Sequence, residues 1–90
     1  MGYGFVSVGT AATLILADNT QRLSVVIQNG GSNNLFIGQD ASVTTANTIY
    51  LVTNGSLTED SSGTKMYCGP FYGISAGTGT TMAYYWEKTR

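Results

Sequence analysis

In this 90-residue sequence the side chains best able to do chemistry are five carboxylates, at Asp18, Asp40, Glu59, Asp60 and Glu87, and one thiol, Cys68. There is no His. The commonest general base and metal ligand is therefore missing, and with it any Ser-His-Asp or Cys-His arrangement. Glu59 and Asp60 are neighbours, and neighbours in an extended chain point to opposite faces and do not converge. Around them the spacing of a calcium loop is absent. Without His, only an Asp/Glu pair acting on a sugar could do hydrolytic chemistry; its two carboxyls would have to stand roughly 5–9 Å apart, and Asp40 and Glu59 are the pair to substitute in testing for it. Cys68 has Lys65 three residues away, on the opposite side of a strand. With Met66 and Tyr67 beside it, it reads as a small buried thiol. Gly77-Thr78-Gly79 lacks the lysine and the following helix of a phosphate loop and reads as a turn. Asn54-Gly55-Ser56 matches a glycosylation triplet, but Met1–Phe5 carries neither a charged n-region nor an apolar h-region. No secretory signal is expected, and the triplet too reads as a turn. The expectation is a protein with no catalytic residues, no cofactor, no metal and no small-molecule substrate.

Aromatic side chains are the other group with chemical character. Tyr67, Phe71, Tyr72, Tyr84, Tyr85 and Trp86 crowd the last quarter of the chain. Alternation along Thr80–Glu87 puts Met82, Tyr84 and Trp86 on one face and Thr81, Ala83 and Tyr85 on the other. Large aromatics on both faces of one strand imply that one face is core and the other is covered by something. Tyr and Trp among few charges suit a protein interface or a sugar-binding platform; the remaining reading is that both faces pack as core within a corner of the sandwich. The predicted interface residues are Tyr3, Phe5, Tyr84, Tyr85, Trp86, Lys88 and Arg90. Residues 1–4 and 88–90 read as flexible arms.

The elements that must carry these residues are short and β-like. Leu23, Val25 and Ile27 fall on one face of Arg22–Gln28, and Ser24, Val26 and Gln28 on the other. Asn29-Gly30-Gly31-Ser32-Asn33 is the strongest turn signal. Followed by Leu35-Phe36-Ile37, it predicts a hairpin with a loop of four or five residues. Further strands are expected at Phe5–Val8, Thr13–Ala17, Thr48–Val52, Ser56–Glu59, Lys65–Cys68 and Phe71–Ser75, with Asp60–Gly63 an exposed loop. No window has sustained helical periodicity. Seven to nine strands at about ten-residue spacing predict a single all-β domain over 1–90, an antiparallel β-sandwich of jelly-roll or other Greek-key type.

Composition narrows the partners. Charged residues are 10% of the chain and the net charge is −1, against roughly 25% charged in typical soluble proteins. Thr, Ser, Asn, Gln and Gly cover the surface instead. Four scattered cations are too few for a protein that neutralises roughly six to ten phosphates, so neither nucleic acid nor an anionic membrane is an expected partner. A lone cysteine forms no internal disulfide and suits a reducing compartment.

Several stretches together resemble a known group. They are Val6-x-Val8-Gly9-Thr10, Ala12-Thr13-Leu14-Ile15-Leu16-Ala17-x-Asn19, Arg22-x-Ser24-Val25-Val26-Ile27-Gln28-Asn29, Gly31-x-Asn33, Leu35-Phe36-Ile37-Gly38 and Gly69-Pro70-Phe71-Tyr72-Gly73-Ile74-Ser75-Ala76-Gly77. Over roughly residues 5–77 the chain resembles small tailed-phage virion proteins, some of them capsid decoration (cement) proteins. The resemblance implies a β-sandwich that assembles, often as a trimer, on the virion surface against the major capsid protein, after synthesis in the host cytoplasm. It also implies structural work for Arg22, Gln28 and Asn29, with Arg22 tying a strand start to neighbouring carbonyls. The Tyr84-Tyr85-Trp86-Glu87-Lys88 ending departs from the plainer final strand of that group. A tail, spike or head-fibre module binding a receptor or glycan is the alternative expectation.

Overall fold

The computed structural model describes residues 2–45, 49–60, 68–76 and 79–89. Among these residues eight strands follow one another: β1 (Gly2–Val8), β2 (Thr13–Leu16), β3 (Arg22–Asn29), β4 (Leu35–Gly38), β5 (Ile49–Leu51), β6 (Ser56–Asp60), β7 (Phe71–Ser75) and β8 (Thr81–Thr89). They form two four-stranded sheets, a front sheet in the order β1-β8-β3-β6 and a back sheet in the order β2-β7-β4-β5. Every pairing is antiparallel. That strand order is the jelly roll, which decides between the Greek-key sandwiches the strand count allows.

Alternation places the core between the sheets. Val8, Val25, Ile27 and Ala83 face inward from the front sheet; Ile15, Leu16, Leu35, Ile37, Leu51 and Phe71 answer from the back. Each large apolar side chain removed from water stabilises by about 1.5–3 kcal/mol. Val6, Leu57 and Tyr85 close the margin of the same core.

The expected hairpin at Asn29–Asn33 does not form. β3 already has β8 on one side and β6 on the other, so no hydrogen-bonding edge of β3 is left for β4. The chain turns across to the back sheet, where Leu35 pairs with Leu51 and Ser75. A five-residue polar loop fits a hairpin or a sheet-crossing corner equally well, and only the occupancy of the strand edges separates them.

The expected arms are also partly strand. Gly2–Gly4 pair with Glu87–Tyr85, and Lys88 and Thr89 continue β8 against β3. Asp60, expected in a loop, ends β6. Cys68 is half-buried and outside any strand; the rest of the strand expected at Lys65–Cys68, most of the Asp60–Gly63 loop, and the first two residues of the Gly77–Gly79 turn lie outside the described residues.

Candidate interaction face

Two buried polar clasps hold β3 and β8 at their ends. The first centres on Arg22. Strict alternation would turn this residue outward, but the β3–β8 register shifts between Arg22 and Ser24, and the bulge brings the guanidinium inside. Its side chain is 0% exposed and that of Glu87 13%. Arg22 Nε donates to Glu87 Oε2 at 2.6 Å, Nη1 to the Gly69 carbonyl at 2.8 Å and Nη2 to the Ala17 carbonyl at 2.9 Å. Its guanidinium carbon lies 5.4 Å from the centre of the Phe71 ring, close enough for cation–π attraction. Asn19 Nδ2 donates to the other oxygen of Glu87 at 3.3 Å. One side chain thus joins β8 to the segments before β3 and before β7.

The second clasp is Asn29, fully buried at the far end of β3. Its Nδ2 donates to the Asn33 and Leu51 carbonyls, both at 2.8 Å. Its Oδ1 accepts from Gly31 N–H at 3.1 Å and from Thr81 Oγ1 at 2.6 Å. All the capacity of a carboxamide is used. The corner it fixes requires glycine, since a Cβ on Gly31 would lie 2.1 Å from Thr81 Oγ1 and 2.7 Å from Met82 N. Gln28, next along β3, is exposed instead and donates to the Asn54 carbonyl at 3.3 Å. Asn54 has φ of 68°, in the left-handed region that Asn tolerates. Among the described residues no buried side-chain nitrogen or oxygen lacks a partner.

The strands held by these clasps present the predicted aromatics. Register sets them in rows across the outer face of the front sheet. Tyr3 stands beside Trp86, and Trp86 beside Val26; Phe5 stands beside Tyr84, and Tyr84 beside Gln28; Ser7 faces Met82. Tyr3 is 80% exposed, Phe5 64% and Tyr84 47%. Trp86 is half-buried. The Phe5 and Tyr84 rings are 6.0 Å apart and tilted by 52°, within the range for aromatic pairs. Between β8 and β3 lies a shallow depression of about 120 Å³ lined by Val26, Gln28, Tyr84, Tyr85 and Trp86. Lys88 stands exposed at the end of β8.

Tyr85 does not join this face. It points inward, half-buried, with its ring over Gly4 of β1. Arg90 lies outside the described residues. The other predicted positions therefore separate into an outward group of Tyr3, Phe5, Tyr84, Trp86 and Lys88 and an inward Tyr85.

The outer face of the back sheet carries a second apolar surface that sequence reasoning missed. Leu14 stands beside Tyr72; Ile74 beside Phe36; Phe36 beside Tyr50. The Phe36 and Tyr50 rings are 5.3 Å apart, and Tyr50 is 55% exposed and Leu14 45%. Its signal was the unbroken Leu35-Phe36-Ile37 run, which leaves a large apolar residue on each face of a strand.

Asp18 and Asp40 are exposed on separate loops. Asp40 accepts from Ser42 Oγ and from Ser42 N–H at 2.9 Å, and these bonds hold its carboxyl below the ordinary value of 3.8. Among the described residues no three His, Cys, Asp or Glu gather where they could hold a metal ion.

Comparison with family models, with curated proteins and with solved structures finds no match to the chain.

Proposed function

We propose that this protein is a non-enzymatic structural subunit of a phage virion, a capsid decoration or cement protein that docks on the major capsid shell and strengthens it as one copy among many. One observation carries the reading: both outer faces of the sandwich present aromatic and aliphatic residues. The outer face of an antiparallel sandwich ordinarily alternates to polar residues, and contiguous apolar surface marks a place that a partner covers. The front face, with Tyr84 and Trp86 on the strand clasped at both ends, is the docking face. Scarce charge and a hydroxyl-rich remainder suit a subunit packed among neighbours. The resemblance to small virion proteins over residues 5–77 points the same way and implies assembly in threes. Binding many copies of a subunit to the assembled shell, and not to its dissociated protein, stabilises the shell by mass action.

Co-sedimentation with expanded capsids of the encoding phage tests this. The wild-type chain pellets with capsids, and a Tyr84→Ser/Trp86→Ser variant with unchanged circular dichroism stays in the supernatant. Equal pelleting of the two refutes the face. No pelleting of either, with binding to host cells or a glycan array that the variant loses, moves the protein to a tail, spike or head fibre.

A further inference from the structure

Among the described residues the two sheets end in four strand edges, and two of them carry a device against pairing. β2 edges the back sheet with a register irregularity between Leu14 and Leu16. β5 edges it on the other side, its described residues being Ile49–Leu51. β6 edges the front sheet and carries Glu59 and Asp60 in its sequence. Bulges, short length and charge are the devices that keep sheet edges from pairing with other chains. β1 has none of them. Its seven residues, Gly2–Val8, include no charge and no proline, and they run against β8 through seven consecutive pairs without a register shift. A regular, neutral edge of that length presents a row of unpaired backbone donors and acceptors, and what satisfies it is another strand.

We infer that β1 pairs antiparallel with β1 of a second copy of this chain, joining two front sheets into one eight-stranded sheet. The edge is self-complementary. Because it is uncharged, two copies approach without repulsion, whereas two copies of β6 would bring like charges together. In the register centred on Gly4, Gly4 faces its counterpart at the two-fold axis, and each Tyr3 faces Phe5 of the other copy. Both are outward aromatics, the cross-strand combination that stabilises antiparallel pairs. A Cβ on Gly4 would lie 2.8 Å from Tyr85 Oη, so a side chain there would have to push the end of the Tyr85 ring aside. Identical edges paired antiparallel make an isologous contact that closes at two copies, not at the three the resemblance implies.

The pairing also supplies what one copy lacks for docking. With aromatic side chains contributing about 150–250 Å² each, the exposed fractions of Tyr3, Phe5 and Tyr84 amount to about 400 Å² on one copy. A stable protein interface takes about 800 Å² from each partner. Pairing through β1 sets two such patches side by side on one face and reaches that size. This enlargement rests on the proposed docking face; the strand pairing does not.

The test is sedimentation equilibrium of the purified chain over a wide concentration range. The expected result is a reversible dimer. Tyr3→Lys, at an exposed position where folding is undisturbed, raises the dimer dissociation constant at least about tenfold, as does Phe5→Glu. Mixing the two variants restores a heterodimer, because the ammonium introduced in one then faces the carboxylate introduced in the other. Unchanged circular dichroism of each variant shows that folding is intact. A monomeric wild type, a trimer, or a dimer indifferent to both substitutions overturns the inference. A dimer that assembles as expected but does not bind capsids leaves the pairing standing and removes only the docking reading.

Discussion

Replacing Glu87 by Gln is the most informative single perturbation of the fold. The substitution keeps the shape of the side chain and one carbonyl oxygen, so the 3.3 Å bond from Asn19 can persist. It removes the negative charge that faces Arg22 at 2.6 Å. The fully buried Arg22 guanidinium would then keep the Gly69 and Ala17 carbonyls and the Phe71 ring about it but lose the carboxylate that faces it. Breaking a buried ion pair by removing one partner costs about 3–5 kcal/mol, because an uncompensated charge stays inside. A domain of this size has a total stability of about 5–13 kcal/mol, so the loss is a large fraction of it. At about 4–8 °C per kcal/mol, Tm should fall by at least about 12 °C. Thermal unfolding followed by circular dichroism reads this directly. Arg22→Met should cost a similar amount by orphaning the carboxylate and two carbonyls. The double variant should be less harmful than the two losses added, with a coupling of about 1–3 kcal/mol. Raising the salt to about 1 M should leave the wild-type Tm nearly unchanged, since buried pairs are screened little. A Glu87→Gln protein within about 1 kcal/mol of wild type would mean the pair contributes no more than an exposed one, and the clasp would be wrong.

Asn29→Asp should destabilise strongly, by several kcal/mol at about 1–3 kcal/mol per orphaned buried group, because a carboxylate would face two carbonyls that now receive N–H bonds; urea unfolding measures it. Leu35→Ala, at a fully buried core position, should cost about 2–5 kcal/mol in the same assay. Asp40 has its pKa lowered by Ser42, so its contribution is present above the ordinary value of 3.8 and is lost as pH falls through the lower folded value. Ser42→Ala should move the carboxyl resonance of Asp40 to a higher titration midpoint by NMR, and an unmoved midpoint would contradict the assignment.

The sandwich was legible because its inward positions keep period two: Val25 and Ile27 on β3, and Thr81, Ala83 and Tyr85 on β8, alternate as written. Three things were not legible in the alternation itself, each for a physical reason, although the resemblance implies structural work for Arg22 and Asn29. Arg22 sits at an outward position by alternation, and only the bulge before Ser24 turns it inside. Asn29 follows Val25 and Ile27 at the inward period, a signal that was present but indistinguishable from a plain turn residue. Its role depends on Leu51 and Thr81, which are distant in sequence. Gly2 and Gly4 looked like a flexible arm because glycine has no side chain to pack. The ring of Tyr85, brought over Gly4 by the β1–β8 register, fills that space. The outward side of Tyr84 and Trp86, opposite Tyr85, was legible in the alternation along β8; that Tyr3 and Phe5 stand beside them follows only from the β1–β8 register. The back face went unread because Phe36 and Tyr50 are far apart along the chain and meet only once β4 and β5 pair.

The proposed virion role is tested most directly by quantitative mass spectrometry of purified virions from the source that carries this sequence, counting copies of this chain relative to the major capsid protein. A shell-covering subunit predicts a ratio near one to one. A ratio lower by about an order of magnitude would place the protein at a vertex, spike or tail, and absence from the particle would contradict a virion role altogether.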